Sequence, residues 1–478
     1  MTTPVELHHV IDGELVDSID GRRFDSVNPT TQEVWATAPR GATADADRAV
    51  TAARRAFDDG PWPRMSPDER SAALHRLADL IVEHGDELAR LDTVDMGKPF
   101  TQARAKDIPR SAQNFRFFAD YARLAENESY PVATSHHMYT RYEPVGVTAA
   151  ISPWNFPLML ATWKVAPALA FGNTVILKPA EQTPASCARL GELGIEAGLP
   201  PGVFNVLHGF GPGEAGEGLT THAGVDLVTF TGESNTGRAI QKAVAPTLKR
   251  VSFEMGGKGA NVVFADADLD KAVDWSIQAI FTNAGQVCLA GSRLYVQRPV
   301  YDEFLARFVE RAESMRLGDP LDPATEIGPL ASEEHWRKVT SYLDIAESEG
   351  AKILCGGQAD GWWVKPTVLV NVDQEMRVCR EEIFGPVVTV IPFDTEEEAV
   401  RLANDTPYGL NAMLFTENVR RAHRVAAALQ AGTVWVNCFF IRDLRSPFGG
   451  FKQSGIGREG GKYSREFFTE PKAIIIEI

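Results

Sequence analysis

Beyond residue 142 the chain follows a rhythm that few architectures satisfy. Short apolar runs at residues 145–151, 174–177, 203–206, 227–230 and 261–264 are each bounded by Gly, Pro or Asn, with helix-like stretches between them. Strands alternating with helices imply crossover connections and a parallel sheet, hence an α/β fold. Ligands of such sheets bind beyond the carboxyl ends of the strands. A second alternating block spans residues 283–436, and the first hundred residues read as mainly helical. In residues 67–91, Leu74, Leu77, Ile81, Leu88 and Leu91 recur at helical spacing behind Ser66-Pro67, an N-cap followed by proline at the first helical position. Residues 139–142 and 473–478 read as exposed strands. A closing Ala473-Ile474-Ile475-Ile476 is unfavourable in water, so this strand is expected to pair with another subunit.

The 478 residues suffice for two or three domains. A net charge of −16 argues against nucleic acid, which needs clustered Lys and Arg. No apolar run reaches the ~18 residues of a membrane span, and residues 1–10 lack the basic and apolar regions of a secretory leader. Five scattered cysteines (Cys187, Cys288, Cys355, Cys379 and Cys438) form neither a disulfide framework nor a zinc pattern, so no metal is expected. A reducing cytoplasm is the simplest location for them.

Three segments carry chemistry. Gly285-Gln286-Val287-Cys288 places a cysteine in a turn, which alone is more often structural than catalytic. Val251-Ser252-Phe253-Glu254 ends an apolar strand on a carboxylate, followed by Gly256-Gly257, a pair that allows close backbone approach by a ligand. A salt-bridged structural role for Glu254 is the plain alternative. Pro153-Trp154-Asn155-Phe156-Pro157 holds an amide between two prolines, either a preset hydrogen-bond donor or a turn residue.

Together with Lys178-Pro179-Ala180-Glu181, Phe230-Thr231-Gly232, Glu381-Glu382-Ile383-Phe384-Gly385-Pro386 and Pro447-Phe448-Gly449-Gly450, these segments resemble the aldehyde dehydrogenase superfamily from about Phe24 to the C-terminus. The resemblance implies a Rossmann-like cofactor domain (residues 1–123 and 145–256), an α/β catalytic domain (257–463) and a small β oligomerisation extension (124–144 and 464–478). It also implies a homodimer or homotetramer. Cys288 is then the nucleophile that forms a thiohemiacetal as a thiolate. The Asn155 side chain and the Cys288 N–H form the oxyanion hole, and Glu254 activates the water that hydrolyses a thioester. A base at Glu254 favours acid formation over transfer to coenzyme A. Lys178 belongs to the catalytic set and, with Glu181, to the adenosine ribose site. A carboxylate there repels a 2′-phosphate, so NAD is the expected cofactor. Ile151, Ser152, Trp154, Phe230, Gly232, Gly237, Gly256, Glu382 and Phe384 complete the cofactor set, with Gly232 and Gly237 preparing a pyrophosphate site at a helix N-terminus. Glu233 departs from the small hydroxyl residue of many relatives. It either points away from the pyrophosphate or shifts the cofactor. Glu459 matches a proton-relay position, with a surface ion pair as the equal alternative.

The substrate position carries a second departure. Arg110 and Arg442 match tunnel positions that are commonly apolar or aromatic in relatives, beside Trp163 and Phe448. Two cations there point to an anionic aldehyde, because guanidinium binds carboxylate bidentately. The run from Arg442 to Arg445 and on to Gly461 resembles the 2-hydroxymuconic, 2-aminomuconic and 5-carboxymethyl-2-hydroxymuconic semialdehyde branch of aromatic catabolism, with Arg445 a less certain third contact. The alternatives are ion pairs of the two arginines with Asp107 or Asp443, a broad-specificity or betaine-type dehydrogenase, or a non-catalytic binding protein on the same fold.

Overall fold

The structure, a computed structural model, describes residues 3–478. Met1 and Thr2, the head of the segment read for a leader, lie outside the described residues. The expected strands form as Val147–Ile151, Thr174–Lys178, Phe204–Val206, Leu227–Thr231 and Ala260–Val263. The first four, with Arg250–Glu254, make the parallel centre of an eight-stranded sheet. Val147–Ile151 and Thr174–Lys178 are buried at every position, because helices cover both faces. Such strands therefore read as unbroken apolar runs rather than alternating ones. The helix Pro157–Ala170 and the helix Thr43–Asp58 contribute to two separate cores around this sheet.

Register brings the functional ends together. Thr231 is opposite Glu254, Phe230 opposite Ile151, and Ile151 opposite Lys178, so these residues form one row along the carboxyl edge. A seven-stranded sheet built from residues 260–436 lies beside it, parallel except for the hairpin of Lys352–Gln358 with Val364–Val370. The short strand Gly455–Ile456, within the segment expected to be catalytic, crosses back to pair with Arg250–Glu254.

Three expectations change. Before Thr43 the chain is not helical but holds five short strands, from Val5–Glu6 to Glu33–Pro39. The periodic stretch 67–91 is two helices, Pro67–Glu83 and Gly85–Met96. The first starts at the expected Ser66 cap, reinforced by Glu69 in a reciprocal capping box. It breaks at His84, where the following Gly85 is packed by the Arg104 guanidinium and glycine carries little helical preference. The C-terminal strand is not unpaired. Thr469–Glu477 runs antiparallel to His136–Pro144 of the same chain over nine residue pairs, with Ser129–Ala133 on the far side. Only its outer edge stays open, with Ile475 and Ile476 exposed. No helix among the described residues is long and apolar enough to cross a membrane.

The core of the seven-stranded sheet includes Phe281, Phe304 and Phe308, with the Phe308 ring 5.9 Å from each of the other two. Phe281 ends the helix that delivers the Cys288 loop. Phe308→Ala is expected to lower stability by ~3–5 kcal/mol, read as a lower urea midpoint for loss of tryptophan fluorescence. A loss below ~1 kcal/mol would mean the core collapses freely around the gap.

Candidate active site

The helix Leu269–Phe281 ends in a turn whose backbone most sequences avoid. Asn283, Ala284 and Gly285 have φ of 53°, 52° and 73°, all left-handed, at a cost of order 1–3 kcal/mol for each non-glycine residue. Hydrogen bonds to the Asn155 turn hold it there. Asn283 Nδ2 donates to the Asn155 carbonyl at 2.9 Å, and Asn155 Nδ2 donates to the Gln286 carbonyl at 2.8 Å. Gln286 accepts from Ala331 N and donates to the Asn283 carbonyl. Neither Asn283 nor Gln286 stands out in the sequence, since both are buried amides whose partners lie far away in the chain. The Asn155 amide keeps one hydrogen free after bonding Gln286.

The glycines after Glu254 serve the protein itself as well as a ligand. A Cβ on Gly256 would meet the Glu382 carboxylate at 2.0 Å, and one on Gly257 the Cys288 carbonyl at 2.6 Å. Gly257 N donates to Glu382 Oε1 at 2.8 Å. The segment therefore locks the Cys288 loop and the Glu382 loop against the strand that ends in Glu254. Gly449, left-handed at φ 147°, brings backbone equally close to Glu254 Oε1.

Glu254 is buried and neither carboxylate oxygen has a hydrogen-bond partner among the described residues. Burial first, then the charge of Glu459, holds its pKa well above the ordinary carboxylate range, while Lys164 and Arg442 pull the other way. This rules out the salt-bridged structural alternative and suits a proton acceptor. Cys288 is pushed up to about 12 by burial and by Glu382 and Glu254. The thiolate expected to attack therefore has to be formed at the site by a base.

Glu459 is not on the surface. It is buried in an ion pair with Lys164 at 3.0 Å and accepts from Trp163 Nε1 at 2.5 Å, with Thr229 Oγ1 within 3.4 Å. Lys164, the one charged residue of the helix Pro157–Ala170, is thus the buried lysine whose charge reaches Glu254. Lys178 instead donates to the Pro179 carbonyl and pairs with Glu181 at 3.4 Å.

A cavity of about 750 Å3 opens at the carboxyl edge of the eight-stranded sheet, well within the range of cofactor sites. Every residue expected to bind the cofactor lines it except Gly237, as do Asn155 and Cys288. Gly237 packs on Met255, whose Sδ would lie 2.4 Å from an added Cβ, which fits close helix–strand packing. The lining suits NAD. The helix Ser234–Val244 begins at Glu233 without a side-chain cap, which leaves its first N–H groups free for a pyrophosphate, and Ser152 Oγ is buried with no hydrogen-bond partner among the described residues. Glu233 itself is exposed, 3.4 Å from Asn235 Nδ2. Burial raises Glu382 to about 7. Phe384, at φ 63°, meets Trp154 edge-on at 5.3 Å, and its carbonyl is 2.8 Å from His335 Nε2, a lining residue the sequence did not single out.

Arg110, Trp163, Arg442 and Phe448 form a separate cluster. The Arg442 guanidinium lies between the Trp163 and Phe448 rings, 4.2 and 3.9 Å from their centroids. Arg110 lies 5.9 Å from Trp163 on the same group. The charges of Arg110, Glu459, Glu254 and Cys288 all act on Arg442, whose pKa burial brings down to about 9, so it stays a cation at neutral pH. Its Nε and Nη2 are buried with no partner among the described residues. These two nitrogens form one fork of the guanidinium. The local ion-pair alternative fails for both arginines, because Asp107 pairs with Lys98 and Asp443 with Arg445. The same exposed pairing occupies Arg445 and removes it as a third contact.

The model of the aldehyde dehydrogenase family matches residues 15–474. The 2-hydroxymuconic semialdehyde dehydrogenase of Pseudomonas sp. (strain CF600) is 50% identical over 99% of this chain and 100% of its own length. The putative aldehyde dehydrogenase DhaS of Bacillus subtilis (strain 168) is 47% identical over 98% and 95%. An aldehyde dehydrogenase from Bacillus cereus solved in complex with NAD+ superposes with a TM-score of 0.97 at 43% identity, covering 99% of this chain and 97% of that one.

Glu459→Gln removes the like charge that helps raise Glu254. A base relieved of a neighbouring anion ionises at lower pH, so the acidic limb of the pH–rate profile is expected to move down. An unmoved limb would mean that Glu254 does not control it.

Proposed function

The chain belongs to the aldehyde dehydrogenase family and is an NAD-dependent aldehyde oxidoreductase, and on that premise we propose that its substrate is a semialdehyde carrying a remote carboxylate, of the 2-hydroxymuconic type. The observation that carries this reading is the unpaired fork of Arg442, held between two rings with Arg110 beside it. A buried guanidinium without a counter-ion is unfavourable, and an anionic substrate completes it. The name of the 50% identical Pseudomonas relative points the same way. A betaine-type substrate is cationic and would be repelled by both arginines.

In this reading Arg110 and Arg442 hold the carboxylate and set the aldehyde against Cys288, a remote contact that orients the reacting centre. Glu254 takes the Cys288 proton and later releases it to solvent, Sγ bonds to the carbonyl carbon, and the carbonyl π pair moves to oxygen. The oxyanion receives the free Asn155 amide hydrogen and the Cys288 N–H. NAD, when bound, supplies the hydride acceptor for this carbon, with Lys178 and Glu181 at the adenosine ribose and Glu382 and Phe384 at the nicotinamide end. Glu254 takes a proton from the water that cleaves the thioester and releases the acid. Glu459, held by Lys164 and Trp163, matches the proton-relay position and keeps the proton affinity of Glu254 high. Residues 1–123 with 145–256 act as the NAD-binding domain, 257–463 as the catalytic domain, and 124–144 with 464–478 as an oligomerisation ribbon. The open edge of Thr469–Glu477 suits pairing with a second copy, in a homodimer or homotetramer.

The test compares kcat/KM for 2-hydroxymuconic semialdehyde and a neutral aldehyde of similar length. Wild type is expected to prefer the semialdehyde by ~100-fold or more, about 2.7 kcal/mol, and Arg442→Ala to lose that preference. Equal turnover of both aldehydes by wild type would sink the substrate assignment and leave the dehydrogenase activity standing.

A further inference from the structure

We propose that Asn114, a wholly buried amide one helical turn beyond Arg110, is a specificity-determining positioning residue that aims the Arg110 guanidinium without neutralising it. The inference rests on the anionic-substrate reading above and names a residue that makes it work.

Asn114 Oδ1 accepts from Arg110 Nε at 3.1 Å. Its Nδ2 donates to Thr162 Oγ1 at 3.0 Å and to the Met159 carbonyl at 3.3 Å. These bonds define which way the amide faces. Thr162 Oγ1 spends its own hydrogen on the Met159 carbonyl at 3.0 Å, so it can only accept from Asn114. The –NH2 must therefore face Thr162, and the oxygen must face Arg110. With Nε taken, Arg110 keeps its terminal Nη pair for a ligand, whereas Arg442 offers its Nε–Nη2 fork. The two cations thus present different edges.

The supports share one property. Arg110 is steadied by a neutral amide and pairs with no carboxylate among the described residues, and Arg442 is steadied by two aromatic rings. Both cations are held in place with their charge unspent. An aspartate at 114 would have the same shape, yet its carboxylate would occupy Arg110 and compete with the substrate's own. Asn114 also ties the helix Ile108–Leu124 to the helix Pro157–Ala170, which carries Trp163. Both arginines are therefore referenced to one frame.

The experiment measures kcat and KM of Asn114→Asp, Arg110→Ala and the double variant with 2-hydroxymuconic semialdehyde and with a neutral aldehyde. In Asn114→Asp the ratio of kcat/KM, anionic over neutral, is expected to fall ~10–100-fold, with the loss in KM for the anionic aldehyde. In the Arg110→Ala background the same substitution is expected to change that ratio less than ~2-fold, because its effect runs through Arg110. If Asn114→Asp lowers kcat for both aldehydes alike, with or without Arg110, the residue is structural and the proposal falls. If Arg110→Ala leaves the ratio at its wild-type value while Asn114→Asp lowers it, the proposed route through Arg110 is wrong. If neither single variant moves the ratio, Arg110 and Asn114 take no part in recognising the anion and the proposal falls; a wild-type ratio near one would instead sink the anionic-substrate reading. Should Asn114→Asp fail to fold, Thr162→Val removes the hydroxyl that orients the amide. It is expected to lower the same ratio ~3-fold or more, and an unchanged ratio would equally overturn the proposal.

Discussion

The reciprocal hydrogen bonds between the Asn155 turn and the left-handed loop before Cys288 are what the site depends on. Each segment supplies the other with a partner: Asn283 reaches the Asn155 carbonyl, and Asn155 reaches the Gln286 carbonyl. Without them two non-glycine residues would have no reason to stay at positive φ. With them, a strand end of one sheet and a helix end belonging to the other are locked at a distance set by hydrogen-bond length. The cavity between the sheets, the position of the thiol and the direction of the free amide hydrogen all follow from that lock.

Around it, charge is distributed by function. On one side Glu254 stands without partners, its carboxylate destabilised by burial and by Glu459, while Glu459 is satisfied by Lys164 and Trp163. On the other side two cations are supported by groups that carry no charge. Trp163 joins the two halves. Its indole N–H steadies Glu459 and its face carries Arg442. A buried carboxylate with raised proton affinity and a buried cation with an open fork are both unfavourable in a resting protein. Their coexistence a few side chains apart is understandable only if water and substrate complete them.

Much of the fold was legible because it obeys local rules. The runs at 174–177 and 227–230 are buried throughout since both sheet faces are covered, and Ser66-Pro67 announced a helix start that the capping box confirms. Residues along the carboxyl edge, such as Ile151, Lys178 and Glu254, were legible as a group because each ends a strand of one parallel sheet, whose carboxyl ends share an edge. The failures have two causes. The intrachain partner of the terminal strand and the partner of His9–Ile11 at Val206 are distant segments, whereas the hairpin of Arg23–Asn28 with Glu33–Pro39 is local but too short for its pattern to stand out. Periodicity within a window does not register contacts between distant segments.

The sequence by itself determined the alternation of strand and helix, and its resemblance to the aldehyde dehydrogenase family singled out Cys288, Asn155, Glu254 and the two arginines. Alternation follows from residue type and spacing and the resemblance from motif order, so both survive without coordinates. Only the tertiary structure decided which charges are spent. Asp107 and Asp443 stand next to the arginines in the chain yet pair with Lys98 and Arg445. Glu459 looks like a surface residue and is buried on Lys164. Asn114 and Gln286 look like ordinary amides and hold the site in register. The physical reason is that an ion pair or an oriented amide is settled by distance and burial. Both are fixed only when the chain is packed, whether the partners are neighbours, as Asp443 and Arg445 are, or 295 residues apart, as Lys164 and Glu459 are.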